Sequence, residues 1–385
     1  MFSRPLWAYA FRPFFLAAPA FAILALVAWA AMLSGWLAAP SRPVGWHAHE
    51  MLFGFAGAAL GGFLLTAVPS WTSSAPVTGP KLGATLFLWA AGRVAMAMAD
   101  ALPGWLGAVL DLCFLPWLAV LTARPLLTAA SGRHRVFVPL LAGLTLANLL
   151  VHLGWAGIGP DLDQRGLTLG LHLFALLIVV TVGRISPVVI AQALEETGDS
   201  RRFRPNPPRQ NLAAAVLALY AAVELFLPDT KIAGWAALAA AAAQLDRMAD
   251  WHVGRAVTRP YVAIIYAAYW WLAVGLAAVG AAHLGATLDV SSGRHAIAVG
   301  AFGSSILAVL TIAGLRHTGR SLVVPAICQA AFVLAGIASA TRMAASLAPG
   351  PAHVAAALIL ALALALYLLR FHRMLASPRA DGKEG

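Results

Sequence analysis

Charged residues are scarce in this chain of 385 residues. They make up 11% of it, whereas an average soluble domain has about 25%. Hydrophobic residues make up 61%, and the mean hydropathy is +0.82. This composition excludes an ordinary soluble enzyme and predicts a polytopic membrane protein. The net charge of +11 arises from basic residues in the connections between apolar runs, so it reflects membrane topology and indicates no nucleic-acid partner.

Cysteine is also rare. Cys113 and Cys328 are the only two, and each lies inside a different apolar run. The sequence contains no CxxC pair, no zinc-ribbon spacing and no CxxCH motif for covalent haem attachment. A disulfide framework and those three kinds of site are therefore not expected.

Apolar runs of bilayer-spanning length, about 20 residues for a helix, recur along the whole chain. We expect an all-α, polytopic membrane bundle of about twelve transmembrane helices, forming one domain over residues 1–385 without a soluble domain. The longest connection, 192–211, divides it into two six-helix halves, between which no repeat is evident. The runs lie at about 14–37, 46–69, 82–99, 103–123, 136–157, 166–190, 211–227, 232–248, 260–283, 295–315, 322–346 and 352–371.

Lysine and arginine are distributed unevenly between the two sides of this arrangement. Nineteen fall on the side of the two termini and five on the other side, while Arg93 and Arg184 lie within spans. Because basic loops stay in the cytoplasm, both termini and the 192–211 connection are predicted to be cytoplasmic. The first run exceeds the 7–15 apolar residues of a signal peptide, so we expect it to remain as a span.

The second run opens on the sequence WHAHEM at 46–51, which places two imidazoles, a carboxylate and a thioether at the mouth of a helix. Such groups at membrane depth are costly, and imidazole and thioether are haem and copper ligands. In a helix, His47 and His49 point about 200° apart, while His47 shares a face with Glu50 and Met51. The two histidines would serve one metal only if the first turn is irregular. Otherwise they serve two sites, or one of them caps the helix.

Seven of the eleven histidines fall at the predicted outer ends of spans, which suggests an outward-facing metal or haem site. One short pattern also recurs, because His49-x4-Gly54-x2-Gly57 matches His295-x4-Gly300-x2-Gly303. The seven are His47, His49, His152, His172, His283, His295 and His353, and the cytoplasmic four are His134, His252, His317 and His372.

Arg93 and Arg184 are predicted inside the membrane, where a buried guanidinium needs an anion. A haem propionate would supply one. So would an internal carboxylate that holds two helices together. Asp111 and Glu224 lie at the same outer level as Arg93.

These pieces together resemble the NnrS family of bacterial membrane proteins. The matching segments occur in the family's order and span nearly the whole chain. They are FRPFF at 11–15, WHAHEM at 46–51, GFLLTAVPSWT at 62–72, AGR at 91–93, GRISP at 183–187, Arg259-Pro260, His295 with VGA at 299–301, and HTGR at 317–320. The resemblance implies a multi-pass protein of the bacterial inner membrane that contains haem b and copper and takes part in nitric oxide metabolism or nitrosative stress, as in denitrification.

On this resemblance we expect nitric oxide or a related small molecule as the ligand and the lipid bilayer as the surroundings. Whether the chain also forms a homo-oligomer stays open. The leading haem ligands are His49 and His295. The other cofactor contacts are His172, Arg93 and Arg184. The metal candidates, led by His47 with Glu50 or Met51 for copper, also include His49, His295, His152 and His317.

Two other functions stay open at this point. One is a proton-coupled twelve-span transporter, in which histidines and carboxylates relay protons. The motifs of common transporter families are missing from the sequence. The other is a haem/copper redox enzyme acting on nitric oxide, for which the sequence shows no electron-input domain.

Overall fold

The structure is a computed structural model that describes residues 5–251, 254–346 and 349–383, with Trp251 described by its backbone alone. The described part is all-helical, with 80% helix and no strand. It contains twelve helical segments of 18 or more residues. They are α1 (Phe11–Leu33), α2 (Pro43–Thr72), α3 (Gly79–Ala97), α4 (Gly104–Thr128), α5 (Phe137–Trp155), α6 (Leu162–Glu196), α7 (Pro207–Phe226), α8 (Lys231–Met248), α9 (Pro260–His283), α10 (Val290–His317), α11 (Ala326–Ala344) and α12 (Pro351–Ala376). Each predicted apolar run falls on one of them.

Nine of these helices are long and apolar enough to cross a membrane; α3, α7 and α8 are not among the nine. Large apolar side chains also stand exposed on the helix flanks, including Phe87, Trp105 and Phe226, each at least 70% exposed. Exposure of this kind would be unfavourable in water but suits contact with lipid tails. The chain is therefore a helical membrane protein with several spans.

Helix α6 differs most from its predicted limits, because it has 35 residues and continues through the polar segment after Ile190. Gln192 donates a hydrogen bond to Glu196, four residues on, at 2.8 Å. Tyr261 donates another to Glu196 at 3.0 Å. Since polar side chains satisfy each other here, the helix persists beyond the apolar run that predicted it.

The chain divides into two compact units. The first comprises Met1–Gly170, Ala313–Leu322 and Tyr367–Gly385, and in it α2 packs against α1 and α4. The second comprises Leu171–Ile312 and Val323–Leu366, and in it α9 packs against α8 and α10. The division into halves at 192–211 stays a prediction.

The order of helices follows a period of four. The second helix of each group of four carries one of the histidines His49, His172 and His295, and each of these is 123 residues from the next. The other members keep a similar spacing. The first helices begin at Phe11, Phe137 and Pro260, the third at Gly79, Pro207 and Ala326, and the fourth at Gly104, Lys231 and Pro351. The three histidines therefore recur at every fourth helix.

Two of the three histidine helices are interrupted by a π-helical turn directly after the histidine. These turns are Glu50–Ala56 in α2 and Ala296–Gly303 in α10. They coincide with the recurring His-x4-Gly-x2-Gly pattern. At Gly300 an added Cβ would lie 2.5 Å from the Trp271 ring, so only glycine permits this approach of α9. Since π-turns concentrate at functional sites, both turns indicate that the histidines before them, His49 and His295, belong to such sites.

Candidate metal centre

Six polar side chains meet inside the first unit, beside the π-helical turn of α2. None of them is more than 8% exposed. We call this group the α2 cluster. Its members are His49 and Glu50 of α2, Arg93 of α3, Asp111 of α4, and Asn148 and His152 of α5.

Asp111 is the hub of the α2 cluster. Its Oδ2 lies 2.8 Å from both Asn148 Nδ2 and His152 Nε2, and 3.1 Å from His49 Nε2. Its Oδ1 accepts a hydrogen bond from Arg93. A Cβ on Gly92 would lie 3.0 Å from Asp111 Cα, so the neighbouring glycine lets α3 and α4 approach closely enough for this ion pair.

His49 has an oxygen atom opposite each of its ring nitrogens. Its Nδ1 lies 2.8 Å from Glu50 Oε1, and its Nε2 lies 2.9 Å from Asn148 Oδ1. Because Asn148 donates its amide hydrogens to Asp111, its oxygen is the atom that faces His49. A neutral imidazole donates a single hydrogen bond. Satisfying both contacts therefore requires a second proton on the ring or a bound cation.

The charges of the α2 cluster lead to the same requirement. Arg93 donates to Glu50 Oε1 at 2.5 Å as well as to Asp111, so one cation faces two carboxylates. With neutral histidines the buried cluster would carry one net negative charge, which is costly in a membrane. One further positive charge, from an imidazolium or a monovalent copper ion, makes it neutral, whereas a divalent ion beside neutral histidines leaves one net positive charge.

His49, Asp111 and His152 can supply that metal site. Each offers one ligand atom, and the three atoms lie within 4.8 Å of one another. In a site with metal–ligand bonds of about 2.0–2.1 Å, tetrahedral geometry places ligand atoms roughly 3.3 Å apart. The observed 2.8 and 3.1 Å around Asp111 need only a small expansion to reach it. In the described ranges this is the single group of its kind, and two imidazoles with a carboxylate suit copper, iron or zinc.

The other residues expected at the second span lie elsewhere. The His47 ring stacks on Trp29 of α1, with centroids 4.5 Å apart and planes at 14°, so it faces away from His49 as the helical spacing predicts. Met51 is half-buried and does not belong to the cluster. For Arg93 the structure shows the internal ion pair that the sequence left open, since two carboxylates neutralise it without a propionate.

The remaining candidates are spread over both units. His317, in the first unit, packs on Phe11 at 5.3 Å. In the second unit Arg184 is half-buried in α6, and His172 faces Glu224 with Nε2 3.2 Å from the carboxylate. The Nδ1 of His295 donates to the Ser291 carbonyl at 2.8 Å, which leaves Nε2 as the lone-pair nitrogen of the neutral ring. His49 and His295 belong to different units, so their joint ligation of one haem stays a prediction. His252 lies outside the described residues.

Two members of the α2 cluster were not among the predicted ligands. Asp111 was placed only at the level of Arg93, and Asn148 was missed altogether. Asn148 is the one amide within the apolar run at 136–157. A polar side chain in such a run is itself a signal, because it must find a partner away from water. Its partners could not be inferred, since Asp111 and His49 are 37 and 99 residues away.

No curated protein sequence matches the chain. The family described as "NnrS protein" matches residues 5–379, nearly the whole length. A match of this extent, over a multi-pass helical fold with the expected motifs in order, shows that the chain belongs to the NnrS family.

Proposed function

We propose that this protein is a copper- and haem b-binding protein of the bacterial inner membrane that binds or handles nitric oxide and protects against nitrosative stress. Family membership supports the setting. The observation that carries the proposal is the buried set His49, Asp111 and His152, which can hold a redox metal inside a transmembrane bundle.

We also propose that all twelve helices cross the membrane and that both termini are cytoplasmic. The support is the bias of basic residues, nineteen against five, together with twelve helices of suitable length. This orientation places the α2 cluster towards the outer face. A reporter enzyme fused after residue 385 should be active in its cytoplasmic form, and periplasmic activity would contradict the orientation.

The α2 cluster would hold copper through His49 Nε2, His152 Nε2 and Asp111 Oδ2. Glu50 would accept the Nδ1–H of His49 and so fix the coordinating tautomer, a role that outer partners of metal ligands commonly have. Arg93 holds both carboxylates in place. When bound, copper and haem would supply metal orbitals to which nitric oxide coordinates.

His295 is our assignment for a haem ligand. Its Nδ1–H is held by the Ser291 carbonyl, which orients Nε2 as the coordinating atom. His49 is assigned to copper because both of its nitrogens are engaged within the α2 cluster. Nitric oxide is small and apolar, so it can reach either site through the lipid.

The test is metal analysis and a pyridine haemochrome assay on protein purified in mild detergent, followed by addition of nitric oxide. We expect copper and haem b, with an absorption spectrum that shifts on nitric oxide binding. His152→Ala should lose copper and keep haem, and His295→Ala should lose haem. His372→Ala is the matched control, because that exposed ring hydrogen-bonds to a carbonyl of its own helix. Full copper content in His152→Ala would reject the copper site.

A proton-coupled transporter is the second candidate, favoured by the buried histidines and carboxylate of the second unit. Metal-free protein in liposomes that carries a solute with protons would support it, and flux that requires copper or haem would exclude it.

A further inference from the structure

A second group of titratable side chains surrounds Glu224 in the second unit. Glu224, near the end of α7, is 2% exposed. Arg294 of α10 donates to its Oε1 at 2.7 Å. His172 Nε2 lies 3.2 Å from Oε2, and His283 Nε2, at the end of α9, lies 3.7 Å from Oε1. Three other helices thus direct a polar group at one buried carboxylate.

This group differs from the α2 cluster because many of its polar atoms are unsatisfied. Buried polar atoms normally have hydrogen-bond partners. Within the part of the chain that the structure describes, six here have no partner in good hydrogen-bond geometry, although His172 and Tyr220 both lie against the Glu224 carboxylate. The six are both ring nitrogens of His172, Glu224 Oε2, His283 Nε2, the Tyr220 hydroxyl and Arg294 Nε. Such a concentration indicates a site that exchanges a proton or a ligand, since a purely structural contact would be saturated.

Charge balance favours a proton over a metal ion. Arg294 neutralises Glu224, so a divalent cation would enter beside a guanidinium with no net negative charge to attract it. His172 and His283 also approach different oxygens of Glu224 and, unlike the α2 cluster, form no group with metal-ligand spacing among the described residues.

His283 connects this buried group to the surface. Its side chain is 3% exposed, and its Nδ1 lies 3.9 Å from Asp229, a carboxylate that is 83% exposed. Its other nitrogen faces Glu224. An imidazole with a carboxylate at each nitrogen can accept a proton on one side and release one on the other. We propose that Asp229, His283 and Glu224 form a proton-uptake path from the surface into the second unit, with His283 as the carrier.

The proton balance is simple. A proton from solvent binds Asp229 and passes to His283 Nδ1, which gives an imidazolium. The ring then releases its Nε2 proton to Glu224 and is left as the other neutral tautomer, with its proton on Nδ1. No bond between heavier atoms changes. Both gaps, 3.9 and 3.7 Å, must close to about 2.6–3.2 Å or be bridged by one water.

The surroundings of His283 contain the groups needed for this role. Two carboxylates, Asp229 and Glu224, face its ring nitrogens, and Arg294 of α10 pairs with the same Glu224 oxygen that the ring faces. His172 and Tyr220 lie on the far side of Glu224, with their rings 4.7 Å apart. From α8, Gly234 faces the His283 Cβ with backbone alone. The path requires neither copper nor haem and does not rest on the proposed function.

The test measures how fast Glu224 takes up a proton after a pH jump. Full-length protein in nanodiscs is followed by the infrared carbonyl band of a protonated carboxyl, and Glu224→Gln identifies that band by removing it. His283→Phe should slow its appearance about tenfold or more, and added imidazole should restore the rate. Asp229→Asn should slow it less, because solvent can still reach the ring.

His353→Phe, which changes another histidine of the same unit, is the matched control and should leave the rate unchanged. Elution of every variant as a monodisperse peak, with an unchanged thermal midpoint, excludes misfolding as the cause. An uptake rate that His283→Phe does not alter would overturn the path, as would a Glu224 band that never forms. Copper or zinc that His283→Phe displaces from the second unit would show a metal site in its place.

Discussion

Replacing Arg93 by methionine should destabilise the protein more than any change at an exposed arginine. The guanidinium is 7% exposed, is charged at any ordinary pH, and is paired with both Glu50 and Asp111. Removing one partner of a buried ion pair typically costs about 3–5 kcal/mol, because the remaining charges stay buried. At about 1.4 kcal/mol per tenfold, this lowers the folded-to-unfolded ratio roughly a hundredfold to several thousandfold.

A second substitution separates lost charge from lost packing. Glu50→Gln, combined with Arg93→Met, removes one negative charge along with the positive one, so the net charge of the α2 cluster stays the same. The double variant should recover about half or more of the stability lost in Arg93→Met, since residues in one ion-pair network couple strongly. Arg201→Met is the control, because its pair with Asp199 is exposed and its loss should not move the unfolding midpoint.

The assay is equilibrium unfolding in mixed micelles, followed by the fluorescence of the 13 tryptophans. Two results would refute the reasoning. One is an Arg93→Met variant as stable as the wild type. The other is a double variant that is less stable than Arg93→Met alone, which would mean that packing, and not charge, holds the cluster.

Three further outcomes are expected. Gly54→Ala would place a methyl group 2.5 Å from an aromatic carbon of α1 and should lower the free energy of unfolding by about 1–3 kcal/mol. Gly336→Ala meets no atom within 4 Å and should raise that free energy by up to about 1 kcal/mol, because alanine favours the helix. Thermal unfolding of the two variants measures both changes. A copper chelator should lower the thermal midpoint of the wild type but not of His152→Ala, by an amount corresponding to about 2.7 kcal/mol where free copper had been at a hundred times the dissociation constant. Hydrogen bonds from Arg379 lower the pKa of Asp381 to about 2. This contact of the C-terminal tail is therefore complete above the ordinary carboxyl pKa and is lost as the pH falls towards 2. At neutral pH, Asp381→Asn should speed tryptic cleavage after Arg379, and mass spectrometry of the cleavage products measures that rate.

The helices were largely predictable from the sequence because apolar length is a local property. The run predicted at 260–283 is the helix Pro260–His283, and the short run at 232–248 is Lys231–Met248. The connection after Ile190 was predicted to begin at 192, but α6 continues to Glu196. That extension depends on Tyr261, 65 residues away, and no local pattern could indicate such a partner.

The candidate site was predictable in kind but not in membership. Histidines at the outer span ends and a carboxylate at the same depth indicated a buried polar site. The pairing of His49 with His152, Asp111 and Asn148 required the packing of α2, α4 and α5, which the sequence alone does not specify. The equal spacing of His49, His172 and His295 is visible in the numbering and would have singled out all three.

The π-helical turns of α2 and α10 have a consequence for the registers of the three histidine helices. A π-turn accommodates one additional residue, and in a helix each residue adds about 100° of rotation. The faces presented after Ala56 and Gly303 are therefore turned about a quarter of a circle relative to His49 and His295. Helix α6 is α-helical from end to end and has no such offset after His172. Removing one residue from either π-turn would give that helix the continuous α-helical register of α6. Its imidazole would then turn away from its present partners, so a one-residue deletion is enough to change the register.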